Sequence, residues 1–462
     1  MIRLFKHYVP HAVLLLGLLD LLLLLCAAEA GWILRAQQIG MDVDHIMTRA
    51  APLLSFAVAI QTAMIAVGVY GTGALQSIRF AFARLLVAIS LGVIFLSVMH
   101  FALPDLTLWR SNSLYAMGLA IMLLLAVRLL LGSMLGGEAF KRRLVVLGAG
   151  NRPNRIKELE QRKGAGFLVV GYIAMNDGAQ VIPESINRSA IYNLADFVVR
   201  LGASEVVLAL EERRNALPLS DLLRIKTTGV HVNEISTFLE RETGRVDLDS
   251  VNPSWLIFSD GFSAGRRLSS IAKRLFDILA SSILLLLTGP VIVIAAILVE
   301  MDSKGPAFFR PQAVGIFGEE FWIVKLRTMR QDAEVSGQAV WAEKDDPRIT
   351  RLGYWLRKLR IDELPQTWTV LKGEMSFVGP RPERRQFVDD LEQHLRYYAE
   401  RHMVKPGITG WAQINYPYGA SIEDSRNKLE YDLYYAKNYT AFLDLLILIQ
   451  TLRVVLWPEG AR

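Results

Sequence analysis

The chain has 462 residues, 52% of them hydrophobic, with a mean hydropathy of +0.30. It is too long for one ordinary domain and too apolar to be wholly water-soluble, so two or three domains with a lipid-embedded part are expected. The net charge of +6 suits anionic headgroups or phosphorylated substrates better than nucleic acid, and the single cysteine, Cys26, excludes an intrachain disulfide framework and a cysteine zinc site.

Arg3 and Lys6 precede an apolar run over residues 12–28 that closes on Ala28-Glu29-Ala30, the pattern of a signal-peptide cleavage site. Asp20 in its middle and the membrane-length segments that follow favour an uncleaved first helix. Residues 51–70, 85–103 and 113–131 each approach the ~20 residues a helix needs to cross a bilayer, which predicts four transmembrane helices. Four crossings return the chain to its starting side, and Lys141-Arg142-Arg143 marks that side as cytoplasmic. Arg79 and Arg84 agree with this orientation, whereas Arg35, Arg49 and Arg110 fall on the other face.

From residue 143 the texture changes. Residues 144–147 read as a buried strand, Gly148-Ala149-Gly150 as a tight turn and 156–161 as a helix. Apolar runs at 167–174, 205–210 and 230–235 alternate with helical stretches near 194–201 and 217–226, so a small parallel α/β sheet is expected. The turn is only part of a dinucleotide fingerprint: Pro153 replaces the third glycine and Asp177 comes late for a ribose ligand. It reads as structural, or as a site for another ligand. Residues 240–265 lack periodicity and read as an irregular connection.

The run over 276–299 is long enough to span a bilayer, but Gly289-Pro290 interrupts it near its centre. Lys273 and Arg274 before it, and Lys304 and Arg310 after it, favour keeping both ends on the cytoplasmic face. The expectation is a re-entrant helix-break-helix hairpin over about 273–301, against an ordinary kinked span. A last apolar run, 441–456, fits a helix in the headgroup plane and a core helix equally.

Between these runs lie the residues with chemistry to offer. Ile349, Leu352, Leu356 and Leu359 share helical spacing, which leaves Arg351, Arg357, Lys358 and Arg360 as a basic side. Asp362 and Glu363 follow at once. Neighbours on a helix point about 100° apart, so the two carboxylates are expected to have distinct roles, one holding a metal or attacking phosphorus, the other orienting or taking a proton. On composition alone, a solvated Asp-Glu pair is the better explanation. Gly379-Pro380-Arg381-Pro382 fixes an arginine suited to a diphosphate, Lys405-Pro406-Gly407-Ile408-Thr409-Gly410-Trp411 adds a cation and an aromatic face for stacking or interfacial anchoring, and Lys325 and Arg327 add two more cations.

These strings resemble a known family. KRLFDILASS, DSKGPAFFRP, KLRTM, RIDELPQ, KGEMSFVGPRPE and KPGITGWAQIN, in order between Lys273 and Asn415, are similar to bacterial polyprenyl-phosphate sugar-1-phosphate transferases, which initiate exopolysaccharide and O-antigen assembly. The layout resembles the larger, multi-span members: four transmembrane helices over 1–140, a Rossmann-like α/β domain over 141–262, and a mainly helical catalytic domain with a re-entrant membrane helix over 263–462.

The resemblance implies a Mg²⁺-dependent transfer of a sugar 1-phosphate from a UDP-sugar to undecaprenyl phosphate, with release of UMP, on the cytoplasmic face of the bacterial inner membrane. The bilayer is an implied partner, nucleic acid is not, and a homo-oligomer is compatible with the layout. Asp362 is implied as the nucleophile or central metal-bound carboxylate and Glu363 as its partner. Lys325, Arg327 and Arg381 are implied phosphate ligands, Arg357 and Arg360 further candidates, and Asp432, in YDLYYAKN, an acidic group at the active site. The hairpin broken at Gly289 and Pro290 is also a feature of the family. Lys405 departs from the arginine common in relatives, and an ammonium lacks the bidentate fork, so no specific role falls to it. A lipid-binding scaffold without turnover, or a transporter, would account for parts of the chain but not for the ordered motifs.

Overall fold

The computed structural model describes residues 2–4, 7–9, 11–41, 45–70, 78–135, 141–162, 165–175, 180–211, 217–251, 267–331, 333, 346–417, 419 and 421–456. Two compact units emerge, one comprising Met1–Leu4 and Tyr8–Thr243, the other Phe5–His7 and Gly244–Arg462.

After two short strands, β1 (Ile2–Leu4) and β2 (His7–Val9), the first unit contains four long apolar helices: α1 (His11–Ile39), α2 (Ala50–Val67), α3 (Ile78–Ala102) and α4 (Arg110–Leu135). All four have stretches long and apolar enough to cross a membrane. α1 packs on α2 and α4, and α2 on α3, around Leu24, Phe56, Met64 and Leu124. Small residues set the spacing: a Cβ at Gly31 would lie 2.6 Å from the Ala116 backbone nitrogen. Asp20, fully buried, receives both terminal nitrogens of Arg128, at 3.1 and 2.6 Å. The Tyr70 hydroxyl donates to the same carboxylate at 2.8 Å and takes a bond from Gln61 at 2.7 Å. An acid inside an apolar bundle needs such partners, because its desolvation has no other compensation.

The same unit continues as a parallel sheet: β3 (Arg142–Leu147), α5 (Asn151–Glu160), β4 (Phe167–Ala174), β5 (Ile186–Asn187), α6 (Leu194–Arg200), β6 (Glu205–Leu208), α7 (Leu219–Thr227), β7 (His231–Glu234) and α8 (Ile235–Thr243). Strand order is β5-β4-β3-β6-β7. The alternation predicts this sheet, apart from the two-residue edge strand β5, too short to leave a pattern. Gly148 sits at φ +128, and the Asn151 N–H that opens α5 donates to the Glu211 carboxylate at 2.6 Å. A side chain just past the end of β6 thus caps the helix end where a dinucleotide fold would hold phosphate.

The second unit begins earlier than residue 263. Val246 and Val251 are buried in its core, and the Val246 N–H donates to the Glu430 carbonyl, so Gly244–Val251 is a strap of this unit and α8 already ends at Thr243. The rest of the expected connection, 252–266, lies outside the described residues. α9 (Arg267–Asp302) follows as one continuous 36-residue helix with Pro290 inside it, so Gly289-Pro290 does not divide it into two helices. Proline removes one hydrogen bond there without ending the helix.

Beyond α9 come β8 (Phe308–Phe309), β9 (Gln312–Val314), β10 (Glu320–Trp322), β11 (Lys325–Leu326), α10 (Arg351–Lys358), α11 (Gln366–Lys372), β12 (Ser376–Val378), α12 (Arg385–His394), β13 (Gly407–Thr409), α13 (Trp411–Asn415), α14 (Ile422–Asn438) and α15 (Ala441–Leu456). β8 pairs with β11 and β9 with β10, both antiparallel, and β12 pairs with β13 in parallel. The core gathers Val370, Met375, Val378, Tyr434, Tyr435 and Leu443. Of the two readings of 441–456, the core helix accounts for the inner face: Leu443 and Ile447 are fully buried, while Leu445 on the other face is exposed.

Both ends of α9 are tied to this one unit. Near its start, Lys273 donates to Asp444 at 2.6 Å and to the Val378 carbonyl at 3.0 Å, and Arg274 caps the last carbonyls of α11 at Val370 and Leu371. Asp277 accepts from Ser376 and the Phe377 N–H. Near its end, Ala295 and Val299 pack on Leu326 and Leu356.

Candidate active site

Thr350 caps α10 by accepting from the Gly353 N–H at 2.9 Å. The helix stops where Arg360 adopts φ 57, a left-handed conformation rare for a residue with a side chain. The chain turns there, and Ile361–Glu363 form a single 3₁₀ turn before α11. Successive residues on such a turn diverge by about 120°, and the two carboxylates do have different neighbours.

Glu363 faces cations. Arg381 donates to it at 2.7 Å, and Lys325 and Arg360 each lie 3.7 Å away. Burial acts to raise its pKa, but Arg381, then Lys325 and Arg360, outweigh burial and hold it down at about 2. Asp362 Oδ1 is buried and accepts no hydrogen bond among the described residues. Burial, then the Glu363 charge, push the Asp362 carboxyl above its ordinary range, against the pull of Lys325, Arg357 and Arg360. Burial and Arg381 lower the Lys325 ammonium, so it also responds to the charge that enters beside it. The site therefore holds one carboxylate neutralised by a guanidinium and one under-compensated, more basic carboxylate next to surplus positive charge.

The arginine loop and the lysine-proline-glycine motif, separate in sequence, form one structure. Ser376 N–H bonds to the Pro406 carbonyl, Gly407 N–H to that of Pro380 and Gly379 N–H to that of Thr409, each at 2.9 Å. A Cβ on Gly379, Gly407 or Gly410 would strike the facing backbone, so these glycines serve close approach. The lock fixes Arg381, whose carbonyl accepts from Arg401 at 2.9 Å and whose guanidinium also donates to Gln413 at 3.3 Å.

Of the residues singled out from the sequence, the structure brings Lys325, Arg360 and Arg381 onto Glu363 and sets Arg357 in the field of Asp362 while it donates to Thr328 at 2.9 Å. It places others elsewhere. Arg327 is buried and donates to the carbonyls of Val299, Ser303 and Lys304, capping the end of α9 instead of facing the pair. Asp432 is buried against Arg401 at 2.8 Å, one residue removed from Arg381. Lys405 caps α11 at the Gly373 carbonyl, 2.6 Å away. Trp411 is no interfacial anchor: it is buried, stacked on Tyr434, and donates to the Gly244 carbonyl at 2.7 Å. Arg401 and Gln413 had no local signal, although both lie in or beside quoted motifs.

Comparison with known proteins agrees with this unit. The family described as bacterial sugar transferase matches residues 268–458. The chain is 43% identical over 232 residues to the UDP-N-acetylgalactosamine-undecaprenyl-phosphate N-acetylgalactosaminephosphotransferase of Aeromonas hydrophila, covering 50% of this chain and 53% of that protein. It is 43% identical to an uncharacterized sugar transferase, EpsL, of Bacillus subtilis over 42% of this chain and 91% of that one. With the undecaprenyl-phosphate galactose phosphotransferase of Salmonella typhimurium it shares 29% identity across 70% of each chain. The chain spans about half the length of the Aeromonas relative and 40% of a UDP-glucose:undecaprenyl-phosphate glucose-1-phosphate transferase of Xanthomonas campestris.

Proposed function

The chain belongs to the bacterial sugar transferase family, and on that premise we propose that it transfers a sugar 1-phosphate from a UDP-sugar to undecaprenyl phosphate, releasing UMP. This is the first membrane step of exopolysaccharide or O-antigen assembly. The observation that carries the reading is the unequal pair: Glu363 ionised under Arg381, and Asp362 with a buried oxygen that accepts no hydrogen bond among the described residues.

An under-solvated carboxylate is a competent nucleophile toward phosphorus. Asp362 attacks the phosphorus that bears the sugar, the bond to the UMP oxygen breaks, and UMP leaves. An oxygen of the lipid phosphate then attacks the same phosphorus and breaks its bond to Asp362, giving the polyprenyl diphosphate sugar and restoring the carboxylate. Lys325, Arg360 and Arg381 offset the repulsion between the two phosphate-bearing substrates. Glu363 holds Arg381 in place.

Mg²⁺ fits the donor set. Among the described residues no cluster of three acidic, histidine or cysteine ligands exists, but magnesium commonly binds one or two carboxylates and completes its shell with water and substrate phosphates. Asp362 is the residue that would hold it, through the oxygen that accepts no hydrogen bond among the described residues. Bound there, the ion would neutralise charge on the transferring phosphoryl group.

α9 reads as re-entrant and the unit as cytoplasmic in the inner membrane. Both ends of the helix are bound to the same unit, which supports this reading, because a spanning helix separates its ends by the ~30 Å of the hydrocarbon core. Pro290, which leaves this helix one hydrogen bond short, is where a bend would fall. Cysteines placed before residue 276 and after residue 299 should label from one face; opposite labelling refutes the hairpin.

The activity is tested with protein in nanodiscs, Mg²⁺, undecaprenyl phosphate and a panel of UDP-sugars, reading UMP. Release with at least one sugar above an Asp362→Ala control supports transfer, and none across a broad panel rejects it. Labelled UMP exchanging into UDP-sugar without lipid supports the two-step route; exchange that requires the lipid favours direct attack.

A further inference from the structure

Arg381 is the cation closest to Glu363, yet its side chain is 31% exposed and sits on a loop. A guanidinium in that position can turn toward solvent unless something holds its other edge. Gln413 does so. The Gln413 Nε2 donates to the Ile408 carbonyl at 3.3 Å, which orients the amide and presents Oε1 to Arg381 Nη1, also at 3.3 Å. One edge of the guanidinium then meets Glu363 and the other meets Gln413.

The helix that carries Gln413 is short, five residues, and is held by its first residue. Trp411 donates from its indole to the Gly244 carbonyl at 2.7 Å and stacks on Tyr434 with ring centroids 5.8 Å apart. Gly244 opens the strap, which is itself pinned to α14. Arg245 pairs with Glu430 at 3.1 Å, the Val246 N–H bonds to the Glu430 carbonyl at 3.0 Å, and Asp249 pairs with Arg426 at 2.7 Å.

We propose that Gln413 is a positioning residue that holds the Arg381 guanidinium against Glu363, and that the strap Gly244–Val251, through Trp411, sets the helix from which Gln413 acts. The proposal rests on the transferase reading above. It makes the stretch that enters the catalytic unit part of the active-site support.

The test uses the whole chain in nanodiscs with three variants: Gln413→Met, which keeps length but removes both the acceptor and the amide donor, Gln413→Glu, which restores an acceptor oxygen but not that donor, and Trp411→Phe, which removes the indole N–H together with its five-membered ring but keeps an aromatic face. For the Met variant the kcat of UMP release falls about tenfold or more, the effect of losing one hydrogen bond to a charged group, with KM for the UDP-sugar little changed. The Glu variant stays within a few-fold of wild type, and Trp411→Phe shifts the same way as Met but less. A second readout is independent of turnover: phenylglyoxal modification of Arg381, followed by peptide mass spectrometry, accelerates in the Met variant and slows again in the Glu variant.

A Met variant with wild-type kcat and Arg381 reactivity overturns the proposal. So does equal loss in the Met and Glu variants together with a lowered melting temperature, which marks Gln413 as packing alone. If the wild type releases no UMP, the transferase reading fails, and the Arg381 reactivity of the Met variant still decides whether Gln413 holds the arginine.

Discussion

Replacing Arg381 by alanine exposes the electrostatics of the carboxylate pair. The Glu363 side chain is 12% exposed, and its pKa stands at about 2 against an ordinary 4.5. At about 1.4 kcal/mol per pK unit, the cations around it stabilise the ionised folded state by roughly 3 kcal/mol at neutral pH. Arg381, at 2.7 Å against 3.7 Å for Lys325 and Arg360, supplies the largest share, discounted for its own partial exposure. The expected loss in Arg381→Ala is therefore about 2 kcal/mol at pH 7. At about 2–4 °C per kcal/mol for a unit of this size, the apparent melting temperature in nanodiscs, followed by tryptophan fluorescence, falls by about 4–8 °C. The sign of the pH dependence is fixed. A carboxyl depressed in the folded state stabilises above its unfolded pKa and loses that contribution as pH falls toward 2, so the gap between variant and wild type shrinks to roughly three-fifths by pH 3 and to about a fifth by pH 2. A gap missing at pH 7, or unchanged at pH 3, refutes this account of Glu363.

Four further outcomes follow from the same geometry. Asp362→Asn lowers UMP release at least about a thousandfold, while the melting temperature is unchanged or slightly raised because an under-compensated charge is gone. Gly410→Ala drives a Cβ into the Gly379 carbonyl and costs about 2–4 kcal/mol, read as a lowered melting temperature with loss of turnover. Glu430, pushed up to about 7 by burial against the pull of Arg245, stabilises the fold most below about pH 4.5 and loses that contribution as pH rises through 7. Melting of wild type but not of Glu430→Gln should fall across that window. In the helical bundle, Asp20→Leu alone leaves Arg128 buried and unpaired and is expected to lower stability in detergent more than Asp20→Leu with Arg128→Met.

What the sequence reveals divides along the range of the interactions. The four long apolar helices and the parallel sheet rest on periodicity within one element, and the alternation of strands and helices is enough to read them. Asp362, Glu363, Lys325 and Arg381 stand out because each lies in a dense, unusual string, and the structure assembles them around one turn. The left-handed Arg360 that makes the turn carries no signature, since arginine is not a residue expected at positive φ. Arg327 and Arg381 look alike in sequence, as cations in basic motifs. Only tertiary packing shows that the first caps a helix end and the second meets a carboxylate. Trp411 reads as an anchor or a stacking face because it follows a Pro/Gly turn, and its burial depends on Tyr434 and on Gly244, 167 positions away. The strap is illegible for the same reason: its two buried valines make no periodic pattern.

The central claim, transfer of a sugar 1-phosphate at Asp362 and Glu363, is met most directly by mass spectrometry of the lipid product. Purified protein in nanodiscs is incubated with undecaprenyl phosphate, Mg²⁺ and the UDP-sugar that gives most UMP. A polyprenyl diphosphate sugar formed mole for mole with UMP by the wild type, and by neither Asp362→Asn nor Glu363→Gln, is the predicted result. UMP without that lipid, or the lipid formed equally well by the Asp362→Asn variant, would contradict it.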